Sequence, residues 1–464
     1  MSTPRPRQHY NVTLAILVFA GTAFALQQTM IIPALPVLRD ELGTTTAWAT
    51  WLLTGFLLSA SVAIPILGKL GDQHGKERLL VISLGVFLLG SIGCTFAWDI
   101  GSLIGFRILQ GAGGAVFPLS FSIIKDEFPP EKVGVAVGAV SAVFAVGGSV
   151  GLALSGVIVD HASWRWIFAV GAVGMAAAVL LVHLFVPESP IKTPSRVDFL
   201  GAALLSAGLL ALLLALTEGE RWGWLSTPIL SLFAASALAL VAWSLVELRV
   251  PEPMVDMRML ANRQVLFANL TALIAGFALF GSFILVPSLL QLPSEAVAYG
   301  FGASATVTGL YLLPSSVTGF ASGPLAGVMS RRVHAKWPLS LGMALGAAGL
   351  AFLAVWHSEG WHIVLGMLVL GAGLPMTFAA MAKIIVDAVR PTETGVATGM
   401  NTVMRTIGGV VGGQVGAALL VAETTAGGLP AESAYVIAFA IGAGSALAGA
   451  FVALLITPRR RLAA

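Results

Sequence analysis

Charge is what this chain has least of. Of its 464 residues only 10% are Asp, Glu, Lys or Arg, where a soluble domain carries about a quarter. Hydrophobic residues make up 57% of the chain and its mean hydropathy is +0.92. No soluble core hides that much apolar surface, so the solvent for most of this chain is lipid. A single cysteine, Cys94, excludes an internal disulfide framework and a cysteine metal site. The seven histidines are scattered at positions 9, 74, 161, 183, 334, 357 and 362, without the His-Glu-x-x-His spacing of a zinc helix. The paired acids or Ser/His arrangement of an intramembrane enzyme are missing as well. The phosphate-cradling pattern Gly-x-x-x-x-Gly-Lys-Ser/Thr is also absent, so ATP is not the energy source. No metal or cofactor is expected, and no enzyme. Loops stay under about 20 residues, too short to hold the soluble domain of a receptor or scaffold.

What is present is a series of apolar runs long enough to cross a bilayer, which takes about 20 residues each. They fall at 12–33, 48–67, 79–97, 100–124, 133–158, 166–186, 199–216, 225–246, 265–290, 304–329, 338–356, 362–386, 396–421 and 434–456. Backbone groups cannot go unpaired in lipid, so these fourteen runs are expected to be helices. The first is too long for a signal peptide and is read as a retained span. Counting alternate loops, one side receives Arg5, Arg7, Lys69, Lys76, Arg78, Lys125, Lys132, Lys192, Arg196, Arg249, Arg258, Arg263, Arg331, Arg332, Lys336, Lys383, Arg390 and Arg459 to Arg461. The other receives Arg39, Arg165 and Arg221. The positive-inside rule places both termini in the cytoplasm of a multi-pass plasma-membrane protein. Charges spread thinly along one membrane face also account for the net +3 and exclude a nucleic-acid partner.

The chain repeats itself. Asp126, Pro130, Gly134-Val-Ala-x-Gly138 and Gly147-Gly-x-Val-Gly151 recur as Asp387, Pro391, Gly395-Val-Ala-x-Gly399 and Gly408-Gly-x-Val-Gly412, each at an interval of 261 residues. This offset pairs spans 1–6 with spans 9–14 and leaves spans 7 and 8 as an insert. The expected fold is an all-α polytopic membrane protein with two six-helix bundles, 1–187 and 263–464, joined by a linker at 188–262 that carries two inserted helices. A parallel repeat of this kind carries its substrate between the halves.

The loop after span 2 reads Gly68-Lys-Leu-Gly-Asp72-Gln-His-Gly75-Lys76-Glu-Arg78. Its glycines permit a tight turn, and Asp72 can meet a basic neighbour or a helix N-terminus, a pairing able to latch one side closed. The alternative is an ordinary charged turn. This loop resembles the signature loop of the major facilitator superfamily. Arg107-Ile-Leu-Gln110-Gly resembles that superfamily's second motif, and Gly147-Gly-Ser-Val-Gly151-Leu-Ala-Leu-Ser-Gly156 its antiporter motif, with Gly148 where the family usually has proline. Trp164-Arg-Trp-Ile-Phe168, Arg196-Val-Asp198-Phe-Leu-Gly201, Glu247-Leu-Arg-x-x-x-Pro253 and Gly309-x-x-x-x-Pro314 are similar to the fourteen-helix drug:proton antiporter branch. The resemblance implies alternating access, and export of hydrophobic or amphipathic small molecules in exchange for protons. In that branch span 1 carries Leu-Asp-x-Thr and then an asparagine; here those positions are Gln27 and Ile32. Glutamine does not titrate, so a coupled proton must ride elsewhere.

Arg107 lies about 10 Å into span 4. A charge at such depth faces a cavity or pathway, unless it snorkels outward. Gln110 shares its helix face, and Gln27 and Gln28 lie at similar depth on span 1, so a polar cluster of Gln27, Gln28, Arg107 and Gln110 is expected. Arg405, with Asn401 one turn earlier, is the second half's deep cation, either lining the cavity or anchored to carbonyls. Asp126 and Asp387 suggest symmetric gating beside Lys125 and Arg390. Asp160 and Glu423, near the outer helix ends, are the candidate proton acids. Phe277, Phe280, Tyr311, Met376 and Met400 are candidates for an apolar pocket. A lipid or metabolite exporter, or a transporter without proton coupling, is the alternative: a glutamine-lined site suits a neutral or anionic substrate better than a lipophilic cation.

Overall fold

The computed structural model describes residues 9–192, 198–424 and 429–457; Arg5, Arg7, Arg196 and Arg459 to Arg461 lie outside them. The helices, in chain order, are α1 (Tyr10–Glu41), α2 (Thr46–His74), α3 (Lys76–Thr95), α4 (Ile100–Gln110), α5 (Val116–Glu127), α6 (Pro130–His161), α7 (Arg165–Phe185), α8 (Phe199–Trp222) and α9 (Thr227–Glu247). They continue with α10 (Met257–Ala261), α11 (Arg263–Gln291), α12 (Ala305–Arg332), α13 (Lys336–Val355), α14 (Gly360–Ala388), α15 (Thr394–Ala422) and α16 (Glu432–Leu454). The fold is all-α, as its composition demands.

Among the described residues, thirteen helices are long and apolar enough to cross a membrane, with α4 and α5 forming one span from Ile100 to Glu127. The fourteenth expected span is α12, which has the length but is diluted by Gly, Ser, Thr and Pro. Its small residues serve packing along α6 rather than contact with lipid. Span 4 is not one continuous α-helix. Gly111–Ala115, the run Gly-Ala-Gly-Gly-Ala, winds as a 3₁₀ turn between α4 and α5, where Gly111 lies hard against Ser59 of α2.

The two halves repeat one packing plan. In the first, α1 packs on α6 and α7, and α3 on α4 and α7. In the second, α11 packs on α15 and α16, and α13 on α14 and α16. Apolar clusters centre on each half and reach across the seam, the first half's taking in Ala382 and Val386 of α14 and the second half's Leu152 of α6. The halves meet along two lines. One is α6 against α12, where the Cβ that Gly138 lacks would fall 2.3 Å from the carbonyl oxygen of Gly323. Only glycine allows backbones this close. Further along the same line the Ser149 and Ser315 hydroxyls bond at 2.5 Å. The other line is α2 against α15, where Gly68 and Gly395 face each other with the same intimacy. The inserted pair α8–α9 is placed beside this second line, α8 touching both α2 and α15. Lys69 of α2 donates to the carbonyl of Pro253 at 2.9 Å, tying down the connector after α9.

Both chain ends reach the same side of the bundle. The ring of Tyr10 lies 5.6 Å from that of Phe128, and Gln264 at the start of α11 donates to the Thr457 carbonyl at 2.9 Å. This is the terminal side of the bundle.

Candidate functional site

Two groups of buried polar residues are bonded into networks. The first is a latch on the terminal side. The first backbone N–H groups of α15 have no partner inside the helix, and its own N-cap residue, Glu393, makes no side-chain cap bond. Asp72 supplies the cap from the other half. Its buried carboxylate accepts from Gly395 N at 3.0 Å and Val396 N at 3.3 Å, where the helix dipole favours negative charge. Lys76, fully buried, stands 3.7 Å from Asp72, pairs with Asp126, and donates to the Pro391 carbonyl at 3.2 Å. Lys125 donates to the Val389 carbonyl at 2.7 Å, and Ser189 donates to Asp126. Gly75 joins α2 to α3 at φ +123°, a left-handed conformation that a side chain resists, and a Cβ there would strike the Glu188 carboxylate at 2.2 Å. Arg78 is exposed.

The symmetry expected of Asp126 and Asp387 is broken. Asp126 bonds Lys76 rather than its chain neighbour Lys125, because Lys125 turns to the end of α14. Asp387 bonds Lys383 one turn earlier on its own helix, not Arg390. The repeat-related aspartates therefore differ in role: Asp126 is buried at the seam between the halves, and Asp387 is exposed.

The second group lies within the first half. Arg107 is fully buried, its Nε donating to the Leu52 carbonyl at 3.0 Å and its Nη1 to Gln110 at 2.7 Å. Its guanidinium lies 4.6 Å from the Phe56 ring centroid. Gln110 Nε2 donates to Ser91 at 2.8 Å, and the Ser91 hydroxyl donates to Gln27 at 3.0 Å. The result is a relay from α4 through α3 to α1. Two donors, Arg107 Nη2 and Gln27 Nε2, have no hydrogen-bond partner among the described residues. Gln28, expected in this cluster, is half-buried on a different face of α1 and stays outside it. Ser91 was not expected, since nothing marks it out among the serines of apolar helices.

In the second half, Asn401 donates to Asn269 at 3.0 Å and the Ala268 carbonyl at 3.3 Å, so it knits α15 to α11. Arg405 stacks over Phe378 of α14 at 4.3 Å. The two share one face of α15 a turn apart, and both turn toward α14, Asn401 to the Met381 sulfur and Arg405 to Phe378. Asp160 accepts from Thr306 at 2.5 Å across the outer end of the α6–α12 line, and Glu423 accepts from Ser433; both stand at helix ends. The antiporter-like glycines divide their work. Gly147 and Gly151 press on α1, where Thr29 donates to the Gly147 carbonyl at 2.8 Å, while Gly156 presses on Thr306 of the other half. Of the apolar-pocket candidates, Phe277 lines a hollow of about 20 Å³ among α11, α15 and α16. Met376 and Met400 are buried in separate places, Tyr311 stacks with Phe301, and the Phe280 side chain lies outside the described residues.

Residues 17–413, and again 271–464, match the family profile described as Major Facilitator Superfamily. The chain belongs to the major facilitator superfamily. Over 388 residues it is 31% identical to a "Multidrug resistance protein B homolog" of Mycobacterium tuberculosis, covering 82% of this chain and 70% of that one. Over 389 residues it is 27% identical to the "Tetracenomycin C resistance and export protein" of Streptomyces glaucescens, covering 83% and 71%. The fold also matches a crystal structure of the human organic anion transporter MFSD10 (TETRAN) with a TM-score of 0.68, over 96% of this chain and 100% of that one. Identity there is 14%, so the likeness is one of fold. Superfamily membership makes the chain a multi-pass membrane transporter of small molecules rather than an enzyme.

Proposed function

We propose that this transporter exports hydrophobic or amphipathic compounds from the cell by alternating access, driven by inward proton flow. The units that rock are residues 1–187 and 263–464, with 188–262 as the linker, and both termini are cytoplasmic. The observation that carries this reading is the Asp72 latch. A carboxylate from one half caps a helix of the other, so it holds the cytoplasmic side closed and must release for that side to open. The resistance and export names of the similar proteins favour efflux of amphipathic compounds. The proton site is not on helix 1; Asp160, which bridges the halves beside the outer end of α6, and Glu423 are the acids proposed for it. Gln27, Gln28, Arg107, Gln110, Asn401 and Arg405 are proposed to face or support the substrate and proton pathway.

A second reading rests on a specific observation: the relay Arg107–Gln110–Ser91–Gln27 contains no carboxylate. On that reading the transporter works without proton coupling and takes a neutral or anionic substrate, such as an endogenous lipid or metabolite. Inverted membrane vesicles, given fluorescent amphiphiles in the medium under an imposed pH gradient, separate the two. Uptake that collapses with the gradient supports proton coupling; uptake that persists unchanged overturns it in favour of the second reading.

A further inference from the structure

A cleft of about 890 Å³ opens on the terminal side beside the α6–α12 line, far more than the roughly 30 Å³ share of one water molecule. Its walls come from both halves. Lys125, Glu131 and Val133 line it from the first; Arg331, Arg332, His334, Lys383 and Asp387 line it from the second. Four basic side chains thus face two carboxylates. His334 adds no charge at neutral pH, because burial and the adjacent Lys336 hold its pKa below the ordinary histidine value.

The cations are not equally engaged. Lys125 is held by the Val389 carbonyl and Lys383 by Asp387. Arg331 and Arg332, consecutive at the end of α12, have no hydrogen-bond or ion-pair partner among the described residues. Glu131, in the first turn of α6, is placed where the helix N-terminus draws it. The site is therefore a two-sided cavity whose free donors are two planar guanidinium forks, the geometry that matches phosphate oxygens in pairs. Phe128, Val133, Ile384 and Val386 give the same cavity apolar wall, which suits a phosphate attached to a lipid better than free phosphate. Basic pockets between membrane helices on the cytoplasmic side are sites of this chemistry.

We propose that this cleft binds a phosphate group, the headgroup of an anionic phospholipid or free phosphate, and that occupation favours the arrangement closed on the terminal side. The second clause follows from the walls. A ligand bridging Arg331 and Arg332 of one half and Lys125 of the other loses contacts when the halves part on this side, and a ligand shifts an equilibrium by its differential affinity for the two states.

The test uses the purified full chain in micelles of a neutral detergent, with the midpoint of thermal unfolding as readout. Phosphatidylglycerol is titrated in one arm and inorganic phosphate, at matched ionic strength, in another; phosphatidylcholine is the blank. The variants are Arg331→Glu with Arg332→Glu, the milder Arg331→Gln with Arg332→Gln should the first not fold, and a control, Arg249→Glu with Arg258→Glu, both exposed outside the cleft. Phosphatidylglycerol should raise the midpoint for the native chain and the control, and neutralising the two cleft arginines should weaken its apparent affinity about twenty-five-fold, since each cation near an anionic lipid surface counts for about fivefold. A matching response to inorganic phosphate assigns the site to free phosphate, and its absence assigns it to lipid. If the cleft and control variants lose the response equally, or the native chain responds to neither probe, the proposal is overturned.

Discussion

Removing the charge of Asp72 should unlatch the terminal side, and the structure sets the size of the effect. Its carboxylate accepts from two backbone N–H groups of α15 at 3.0 and 3.3 Å, and hydrogen bonds to a charged group stabilise by about 1.5–3 kcal/mol each, against about 1 for a neutral pair. Asp72→Asn keeps the shape and one acceptor oxygen, so it forfeits only the charge-assisted part, about 1 kcal/mol per bond. Lys76 still has Asp126. The ratio of open to closed forms on this side should then rise about thirtyfold, from a loss of about 2 kcal/mol at 1.4 kcal/mol per decade. Asp72→Ala leaves both helix donors orphaned in a buried place and should shift the ratio further. Spin labels at His74 and Arg390, both exposed on this side and in opposite halves, read the separation by pulsed electron resonance; Cys94 is buried and stays. A longer-distance population should grow from native to Asn to Ala. Coincident distance distributions in all three would refute the latch.

Other expectations follow from the same contacts. Gln27→Asp places a titratable group at the end of the Ser91–Gln110–Arg107 relay, and vesicle transport should become more steeply dependent on an imposed pH gradient; an unchanged dependence would detach that relay from coupling. Gly138→Leu forces a side chain where the Gly323 carbonyl lies, so transport should be lost and stability reduced by about 1–3 kcal/mol, the usual cost of overpacking, read from thermal unfolding in detergent. Asp99 caps α4 by accepting from Ser102 N at 2.7 Å, and that backbone hydrogen bond, with the Ser102 hydroxyl, holds its carboxyl below the usual aspartate range. A group with a depressed folded pKa stabilises above its unfolded pKa and loses that contribution as pH falls through the folded value. Native and Asp99→Ala unfolding midpoints should therefore differ at neutral pH and converge in acid.

Much of the fold was readable from the chain because the bilayer allows so little else: an apolar run of spanning length must be a helix, and fourteen such runs were countable. The exception, α12, shows the limit of that rule. Its Gly323 and Ser315 face another helix while Val317 and Phe320 stay exposed, and a face turned to protein need not be apolar. The latch was half legible. Asp72 was expected to meet a basic neighbour or a helix start and meets both, but that the helix start belongs to α15 is a fact of tertiary packing. Lys76 reaching Asp126, fifty positions away, left no mark in local spacing. The relay was legible at its polar ends, Gln27 and Arg107–Gln110, since such side chains are costly in an apolar span. Ser91 was not, because a serine satisfies itself by bonding back along its own helix, and Ser91 also bonds the Phe87 carbonyl. The break at Gly111–Ala115 had its signal in the glycine run, inside a stretch that was expected to be one continuous span.

The position of α8 has a bearing on how a greasy solute reaches the interior. A molecule dissolved in the leaflet can slip sideways into a two-halved carrier only where the halves border directly on the acyl chains. Here one of the two borders, α2 with α15, has a helix of the linker laid over it, so a solute approaching from that flank meets a shutter that must itself be displaced. The two flanks of this carrier are therefore unequal doors, and a cargo that partitions into the membrane before capture would come in by the one that α6 and α12 guard.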